Sequence, residues 1–227
     1  MDFRIRHMNQ RTFLLLRHPE AQKNIEDRHG GEGTPLAKRG VQQCNAIAQY
    51  ILDKFSPLDR CVLIGHNVPQ IRETVELLGA MLRLTPIWDE RLRGIDLGVL
   101  AGLSRAEAAQ QWPNAAKRLE LWRMGQLQLD QVNIPGAETS DEFKCRVEAV
   151  LGEWLEMHDV NLLIAVCTRS TLIMLVNLIQ LADDFSYEGY KAYDFDVSSL
   201  TRVDVLDTHP QVITMNQVGH LTGDISG

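Results

Sequence analysis

The sequence predicts an α/β domain, a three-layer α/β/α sandwich in which helices cover both faces of a mostly parallel sheet. Three short apolar runs, each bounded by polar residues, have the length of buried strands: Thr12–Leu16, Cys61–Ile64 and Leu162–Cys167. Each run precedes a segment with apolar residues at helical spacing, and this repeated strand–helix order is typical of α/β domains. Continuous apolar strands are typical of parallel sheets that are buried on both faces.

Apolar periodicity and capping residues place a helix after each of these strands. The first is expected from about Pro35 to Phe55, with Thr34 as its N-cap and Pro35 in its first turn. The second is expected over Pro69–Leu84. The third is expected over Ser170–Leu181, capped by Ser170 or Thr171.

The middle of the chain, residues 86–135, predicts a helical insertion within a single domain that spans residues 1–227. Two short helices are expected there, Ser104–Trp112 and Ala115–Met124, because a proline separates them. A long amphipathic helix over Ser140–His158 and an alternating strand over Val197–Leu206 follow. The residues from about Thr222 onward are expected to fray.

Composition and charge exclude several classes of function. The 227 residues are 44% hydrophobic, and 23 Lys and Arg stand against 30 Asp and Glu, a net charge of -7. This acidic balance argues against binding to nucleic acid or to an anionic membrane surface, since both require a basic surface. The apolar runs are too short to span a bilayer, and the N-terminus lacks the apolar stretch of a signal peptide.

The four cysteines indicate neither a metal site nor a disulfide framework, because they are far apart in the chain. We therefore expect no metal and a reducing, cytoplasmic location. Cys167 precedes Thr168 and Arg169 at a strand end, but a cysteine phosphatase loop requires arginine where this chain has Ile173. Cys167 is therefore predicted to be a small buried hydrophobic residue.

Arg17 and His18 end the first predicted strand, and Asn24 and Arg28 follow in the next loop. Open α/β sheets bind ligands at the carboxyl ends of their strands. Arginine forks match phosphate oxygens, and a histidine between them can attack phosphorus. The Arg-His pair alone is a weak signal, because most such pairs lie on protein surfaces.

The R-H-x-E motif at Arg17, followed by N-x-x-x-R, resembles the start of the histidine phosphatase superfamily, the phosphoglycerate mutase-like proteins. Further segments resemble later motifs of this family and occur in the family's order, so that the resemblance covers about residues 12–221. These segments are Thr34–Gly40, Cys61–Thr74, Glu90–Gly102, Pro135–Val147, Leu162–Ser170 and Met215–Leu221.

The resemblance implies a phosphoglycerate mutase-like fold, no cofactor, and a phosphorylated small molecule as the ligand. In this family a first histidine accepts the phosphoryl group, two arginines and a second histidine hold the phosphate, and a carboxylate protonates the leaving oxygen. Carried over by position, His18 is the nucleophile, Arg17 the first arginine, and Asn24 and Arg28 help to hold the phosphate. Homodimers are common in the family, so a homodimer is one expectation for this chain.

The sequence departs from the family motifs at other positions. The second arginine falls on Gln70, the acid on Gly94 and the second histidine on Thr168, while the glycine after the nucleophile is Pro19. Arg72 lies about 200° around a helix from Gln70, which makes it a poor substitute. Loss of a phosphate-binding group or of the acid costs about two to four powers of ten in rate each.

Two hypotheses therefore stay open. In the first, the chain is a divergent enzyme: Thr168, Arg169 and the amides that begin the third helix form a phosphate site, and a substrate with a good leaving group needs no strong acid. His66, Arg93 or Asp96 would replace the missing groups. In the second, it is a pseudophosphatase, an inactive module that binds a phosphorylated ligand or a protein partner.

Overall fold

The computed structural model describes residues 10–226, which form a six-stranded sheet in the order β3-β2-β4-β1-β5-β6. Strands β3, β2, β4 and β1 run parallel, β5 is antiparallel to β1, and β6 is antiparallel to β5. The strands are β1 (Gln10–Arg17), β2 (Cys61–Gly65), β3 (Pro86–Trp88), β4 (Leu162–Cys167), β5 (Leu200–Leu206) and β6 (His209–Gln217).

Helices occupy both faces of this sheet. They are α1 (Gln22–Ile25), α2 (Lys38–Phe55), α3 (Pro69–Leu82), α4 (Arg105–Gln111), α5 (Pro113–Arg123), α6 (Ser140–Leu155) and α7 (Arg169–Leu181). Within residues 10–226, no helix has the length and apolar composition needed to cross a membrane.

The side chains of β1 alternate between two hydrophobic cores, as the period of two in a strand requires. Phe13 and Leu15 pack in the core that contains the buried faces of α6 and α7. Leu14 and Leu16 pack in a second core, which contains the buried faces of α2 and α3. The predicted three-layer α/β/α sandwich with a mostly parallel sheet is thereby confirmed.

Two edge strands were not predicted from the sequence. Strand β3, at the start of the segment assigned to the insertion, has only three residues, and its Ile87 and Trp88 side chains are exposed. Strand β6 contains only exposed and half-buried residues and carries few apolar side chains. Neither strand shows the continuous apolar run that marks a buried strand, because each lies at an edge of the sheet.

The predicted helix starts require correction. Helix α2 begins at Lys38 rather than at Pro35, since the Thr34 Oγ1 accepts a hydrogen bond from the backbone N–H of Lys23 at 2.8 Å instead of capping a helix. Helix α7 begins at Arg169, and its N-cap is Thr168 rather than Ser170 or Thr171.

The C-terminal expectation also needs correction. Residues Gly223–Ile225 form a 3-10 turn instead of a frayed end. The Ile225 carbonyl accepts a hydrogen bond of 3.0 Å from the Gln43 side chain, which ties this turn to α2.

Candidate functional site

Three parallel strands bring candidate residues to one edge of the sheet. His18 follows β1, His66 follows β2, and Thr168 follows β4. The backbone N–H of His18 donates to the Cys167 carbonyl at 3.1 Å, which joins the ends of β1 and β4. The site is therefore built where open α/β sheets bind ligands.

His18 is held as a neutral imidazole with one free ring nitrogen. Its side chain is buried, and Nδ1 lies 2.8 Å from the Pro19 carbonyl oxygen. Since a carbonyl only accepts hydrogen bonds, Nδ1 carries the proton and the lone pair is on Nε2. Burial lowers the pKa of His18 well below its usual value, and the charges of Lys23 and Arg17 lower it further. This is the protonation state that a nucleophilic histidine requires.

Arg17, whose charge acts on His18, has a second cation beside it, Arg169. The Arg17 guanidinium donates to the Phe195 carbonyl, and Arg169 Nη2 lies 3.0 Å from an oxygen of Asp194. Burial and the nearby charge of Arg169 lower the pKa of Arg17 to about 10, although Asp194 and Asp196 act in the opposite direction. The loop before β5 thus holds both arginines, and the structure brings the predicted Arg169 to Arg17.

Lys23 is a third cation of the site and was not singled out from the sequence. Burial and the charge of Arg17 lower the pKa of this partly buried lysine to about 8. The Lys23 charge in turn lowers the pKa values of His18 and His66. The sequence offered one sign of this role, a lysine directly before Asn24 in the motif. Only the fold shows that this lysine lies close to Arg17.

His66 adds a second neutral imidazole. It is 4% exposed, and its Nε2 has no hydrogen-bond partner among residues 10–226. Burial lowers its pKa to about 4, with Lys23 as the next cause. The charge of Lys23 acts on both neutral histidines and the charge of Arg17 acts on His18, an arrangement that can neutralise an anion beside a nucleophile.

Comparison with known proteins identifies the family. The model of the histidine phosphatase superfamily (branch 1) matches residues 13–218. The chain belongs to the histidine phosphatase superfamily. The resemblance of its motifs to this family is therefore confirmed.

Curated relatives of this histidine phosphatase family member include the probable phosphoglycerate mutase GpmB of Salmonella paratyphi C. The two sequences are 30% identical over 145 residues, which is 63% of this chain and 62% of that relative. The matched region thus spans less than two thirds of the length of the relative.

Solved structures share the fold. YhfR from Bacillus stearothermophilus has a TM-score of 0.79 at 21% identity and covers 92% of this chain and 98% of its own. A mycobacterial glucosyl-3-phosphoglycerate phosphatase has a TM-score of 0.73 at 21% identity, covering 91% and 99%. The phosphoglycerate mutase of Bacillus anthracis str. Sterne has a TM-score of 0.76 at 16% identity, covering 94% and 96%.

The positions expected to differ from the family motifs have structural partners in this chain. Gln70 is buried, and its Oε1 accepts a 3.1 Å hydrogen bond from the Thr34 backbone, whereas Arg72 is exposed on α3. A Cβ atom on Gly94 would lie 3.0 Å from the Thr168 Oγ1. The sequence positions assigned to the acid and to the second histidine are therefore in contact, and in this chain they hold a glycine and a threonine.

Two other predicted phosphate ligands have different partners. The Asn24 Oδ1 accepts a 2.9 Å hydrogen bond from the Ala21 backbone at the start of α1. Arg28 is paired with Glu26 at 2.7 Å and with Glu107 at 3.2 Å. The described ion pairs of Arg28 are thus with carboxylates, and its role in holding a phosphate stays a prediction.

The segment that contains Gly94 is anchored by Arg146. Its guanidinium donates to both Glu138 oxygens at 2.6 and 2.8 Å, and to the Gly94 carbonyl at 2.9 Å. Arg93 lies 3.3 Å from Glu138, and the Asp96 carboxylate accepts from the Gly98 backbone at 2.8 Å. Among residues 10–226, the contacts described for these two side chains are with Glu138 and Gly98 and not with His18.

Cys167 is fully buried, and burial raises the pKa of its thiol to about 12. A thiol in this state is a poor nucleophile, which agrees with its predicted role as a small buried residue. Within residues 10–226, no group of three or more His, Cys, Asp or Glu residues is arranged to hold a metal ion.

Proposed function

We propose that this histidine phosphatase family member transfers a phosphoryl group from a phosphorylated small molecule to His18 and then to water or a second acceptor. One observation carries the proposal: a buried, neutral His18 with a free Nε2 lies beside the charges of Arg17 and Lys23, and Arg169 adds a further positive charge next to Arg17. These positive charges favour a bound phosphate and stabilise the charge that develops on its oxygens.

In the first step the Nε2 lone pair of His18 attacks phosphorus, and the bond from phosphorus to the leaving oxygen breaks. The electron pair of that bond departs with the leaving group. In the second step water attacks the phosphorus of the phosphohistidine, releases phosphate and returns the electron pair to Nε2, while a proton passes to solvent.

The substrate class follows from the position that the family motif assigns to the acid. Gly94 has no carboxylate to protonate the leaving oxygen, and the nearby Glu138 is held by Arg146. A leaving group that is stable as an anion needs no such proton. The preferred substrates are therefore acyl phosphates or diphosphates rather than alkyl phosphate monoesters.

Phosphate release from acetyl phosphate, p-nitrophenyl phosphate and glycerol 3-phosphate tests this proposal. We expect turnover of the first two compounds, loss of all turnover in His18→Gln, and a loss of about 10²- to 10³-fold in Arg17→Ala. The exposed His209→Asn variant serves as a control and should keep full activity. Turnover that persists in His18→Gln contradicts the nucleophile assignment.

A second candidate function is a pseudophosphatase that binds a phosphorylated ligand without turnover. The observation in its favour is that Gln70 and Thr168 are engaged in structural hydrogen bonds. In that case sulfate and phosphate bind and raise the thermal stability, Arg17→Ala abolishes the increase, and no phosphohistidine forms on His18. Mass spectrometry of the protein quenched during incubation with acetyl phosphate separates the two functions.

A further inference from the structure

An exposed ion pair joins Arg169, at the start of α7, to Asp194, in the loop before β5. Arg169 Nη2 lies 3.0 Å from an Asp194 carboxylate oxygen, and the Asp194 side chain is 85% exposed. Within residues 10–226, Arg169 is the only ion-pair partner described for this carboxylate. Ion pairs of exposed groups contribute little stability, because water screens them. Another anion can therefore take the place of Asp194.

The surroundings of Arg169 hold more positive charge than Asp194 neutralises. Burial lowers the pKa values of Arg17 and Arg123, and the charge of Arg169 contributes to the lowering in both. Arg169 is thus repelled by two other guanidinium groups. A phosphate group carries more negative charge than a carboxylate and accepts two parallel hydrogen bonds from one guanidinium. A phosphate is therefore the anion best suited to replace Asp194.

The position that the family motif assigns to the acid lies at the same helix start. A Cβ atom on Gly94 would lie 3.0 Å from the Thr168 Oγ1 and 3.1 Å from the Ser170 Oγ, and these two residues flank Arg169 in the sequence. A carboxylate at this position would repel a leaving group that departs as a phosphate. Glycine removes that repulsion, and a neighbouring arginine stabilises the departing anion.

Release of Asp194 requires only the rotation of its side chain. The next residue, Phe195, is 1% exposed, and its carbonyl accepts from the Arg17 guanidinium. The backbone N–H of Asp196 donates to the Asn216 Oδ1 at 2.7 Å, and the Asn216 amide donates to the Asp196 carboxylate at 3.0 Å. These bonds hold the loop in place while Asp194 turns into solvent.

We propose that Arg169 exchanges Asp194 for the leaving phosphate of a diphosphate substrate, and that the site therefore prefers phosphoanhydrides to acyl phosphates. This assignment rests on the proposed transfer to His18 and narrows its substrate class. The Nε2 lone pair of His18 attacks the terminal phosphorus, and the bond from that phosphorus to the bridging oxygen breaks. The bridging oxygen keeps the electron pair and departs with the second phosphate, so this step requires no general acid. Water then hydrolyses the phosphohistidine as described above.

Binding of methylenediphosphonate tests the second phosphate position without turnover, because its P–C–P bridge is not cleaved by the transfer. In calorimetry we expect it to bind about tenfold more tightly than methylphosphonate, and Arg169→Gln should remove this gain. Asp194→Asn keeps Arg169 but removes the competing charge, so it should tighten the binding of methylenediphosphonate about threefold. Circular dichroism verifies the fold of each variant.

Arg202→Gln is the matched control. It breaks an ion pair of similar length, since Arg202 Nε lies 2.8 Å from an oxygen of Asp204, and it should leave the gain unchanged. Equal affinity of the two phosphonates in the wild type, or a gain that persists in Arg169→Gln, overturns the proposal.

Phosphate release from inorganic diphosphate and from acetyl phosphate tests the substrate preference. We expect kcat/KM for diphosphate to be about tenfold higher, and Arg169→Gln to lower it about 10²-fold while acetyl phosphate turnover changes little. If Arg169→Gln slows both substrates equally, the transfer to His18 stands and the role of Arg169 is overturned. If the wild type turns over neither substrate, the proposed function fails, and the phosphonate affinities alone decide whether Arg169 holds a second phosphate.

Discussion

Lys23 contributes a positive charge to the site, although the family motifs assign it no role. Its backbone N–H is bound to Thr34, and its charge acts on Arg17, His18 and His66. Gln70, at the position where the motifs predict the second arginine, carries no charge, whereas Lys23 places a positive charge near Arg17 and His18. Unlike an arginine, a buried lysine loses its proton within reach of physiological pH.

Sulfate affinity tests this role, because sulfate stays a dianion across the relevant range. The pKa of Lys23 is lowered to about 8, so the ammonium is charged below that pH and neutral above it. Sulfate binding measured by calorimetry should therefore weaken as the pH rises through about 8. Lys23→Arg should remove this pH dependence, since arginine stays charged.

Lys23→Met serves as the neutral variant of similar length. It should bind sulfate about tenfold more weakly than the wild type below pH 8, and its affinity should not change as the pH rises. An unaltered pH dependence in Lys23→Arg would show that another group is responsible.

Gly94 allows a direct test of the prediction that the acid of the family motif falls on this position. The Gly94→Glu variant should raise the rate for aryl phosphates with poor leaving groups by about 10²-fold relative to p-nitrophenyl phosphate, because a carboxyl then protonates the leaving oxygen. The Thr168 hydroxyl must move by a few tenths of an ångström to accept the new Cβ. Steady-state kinetics over a series of leaving groups measures the change.

Arg93→Glu is the matched control, since it adds a carboxylate one residue away on a half-exposed side chain. If both variants show the same dependence on the leaving group, position 94 does not face the leaving oxygen.

At the scale of elements, the start of α7 links stability to anion binding. The Thr168 Oγ1 accepts a hydrogen bond from the Thr171 backbone at 3.4 Å, and the Thr171 hydroxyl donates to the Leu92 carbonyl at 3.1 Å. Thr171, in the first turn of α7, thus joins this helix to the segment that contains Gly94. A helix of this length also presents partial positive charge toward the site.

Replacement of this cap separates the two effects. Thr168→Ala should lower the free energy of unfolding by about 1 kcal/mol and weaken sulfate binding. Thr139→Ala removes the N-cap of α6, whose Oγ1 accepts from the Glu142 backbone at 3.2 Å, and should cost a similar free energy. Urea denaturation and calorimetry measure both quantities; a loss of sulfate affinity in Thr139→Ala would mean that the binding effect follows stability alone.

At the scale of the whole molecule, the protein has a net charge of -7, yet Arg17 and Lys23 place positive charges at the carboxyl end of the central strand β1. The burial of neutral histidines also makes the stability of the entire fold depend on pH. Burial is the main cause that lowers the pKa values of both His66 and His29 to about 4. Between about pH 4 and pH 6.5 the folded protein therefore binds fewer protons than the unfolded chain.

The free energy of unfolding should fall as the pH is lowered from about 6.5 to about 4, by about 1.4 kcal/mol per pH unit for each such histidine. In this range the unfolded chain binds the additional protons, so acid favours unfolding. His66→Asn should reduce the slope measured by urea denaturation, whereas the exposed His209→Asn should leave it unchanged. Equal slopes in the wild type and His66→Asn would contradict the burial of a neutral imidazole at that position.

The sequence predicted the elements whose apolar pattern is strongest. Strands β1, β2 and β4 are continuous apolar runs because helices cover them on both sides, and each begins or ends within two residues of its expected bounds. The edge strands β3 and β6 carry no such pattern. The helix starts were predicted incorrectly because the sequence does not show which hydroxyl side chain caps a helix. Thr34 accepts a hydrogen bond from Lys23 instead of capping α2, whereas Thr168 caps α7.

The sequence alone determined the three buried parallel strands and the helix that follows each of them, the family, and the position of Arg17 and His18 at the end of the first strand. The tertiary structure decided which cations lie near that histidine: the charge of Lys23 acts on it, Arg169 lies beside Arg17, and Arg28 is paired with Glu26 and Glu107. The reason is physical, because ion pairs and burial depend on segments that are distant in the chain. Arg28 is held by Glu107, and Arg169 by Asp194, through contacts that no local pattern encodes.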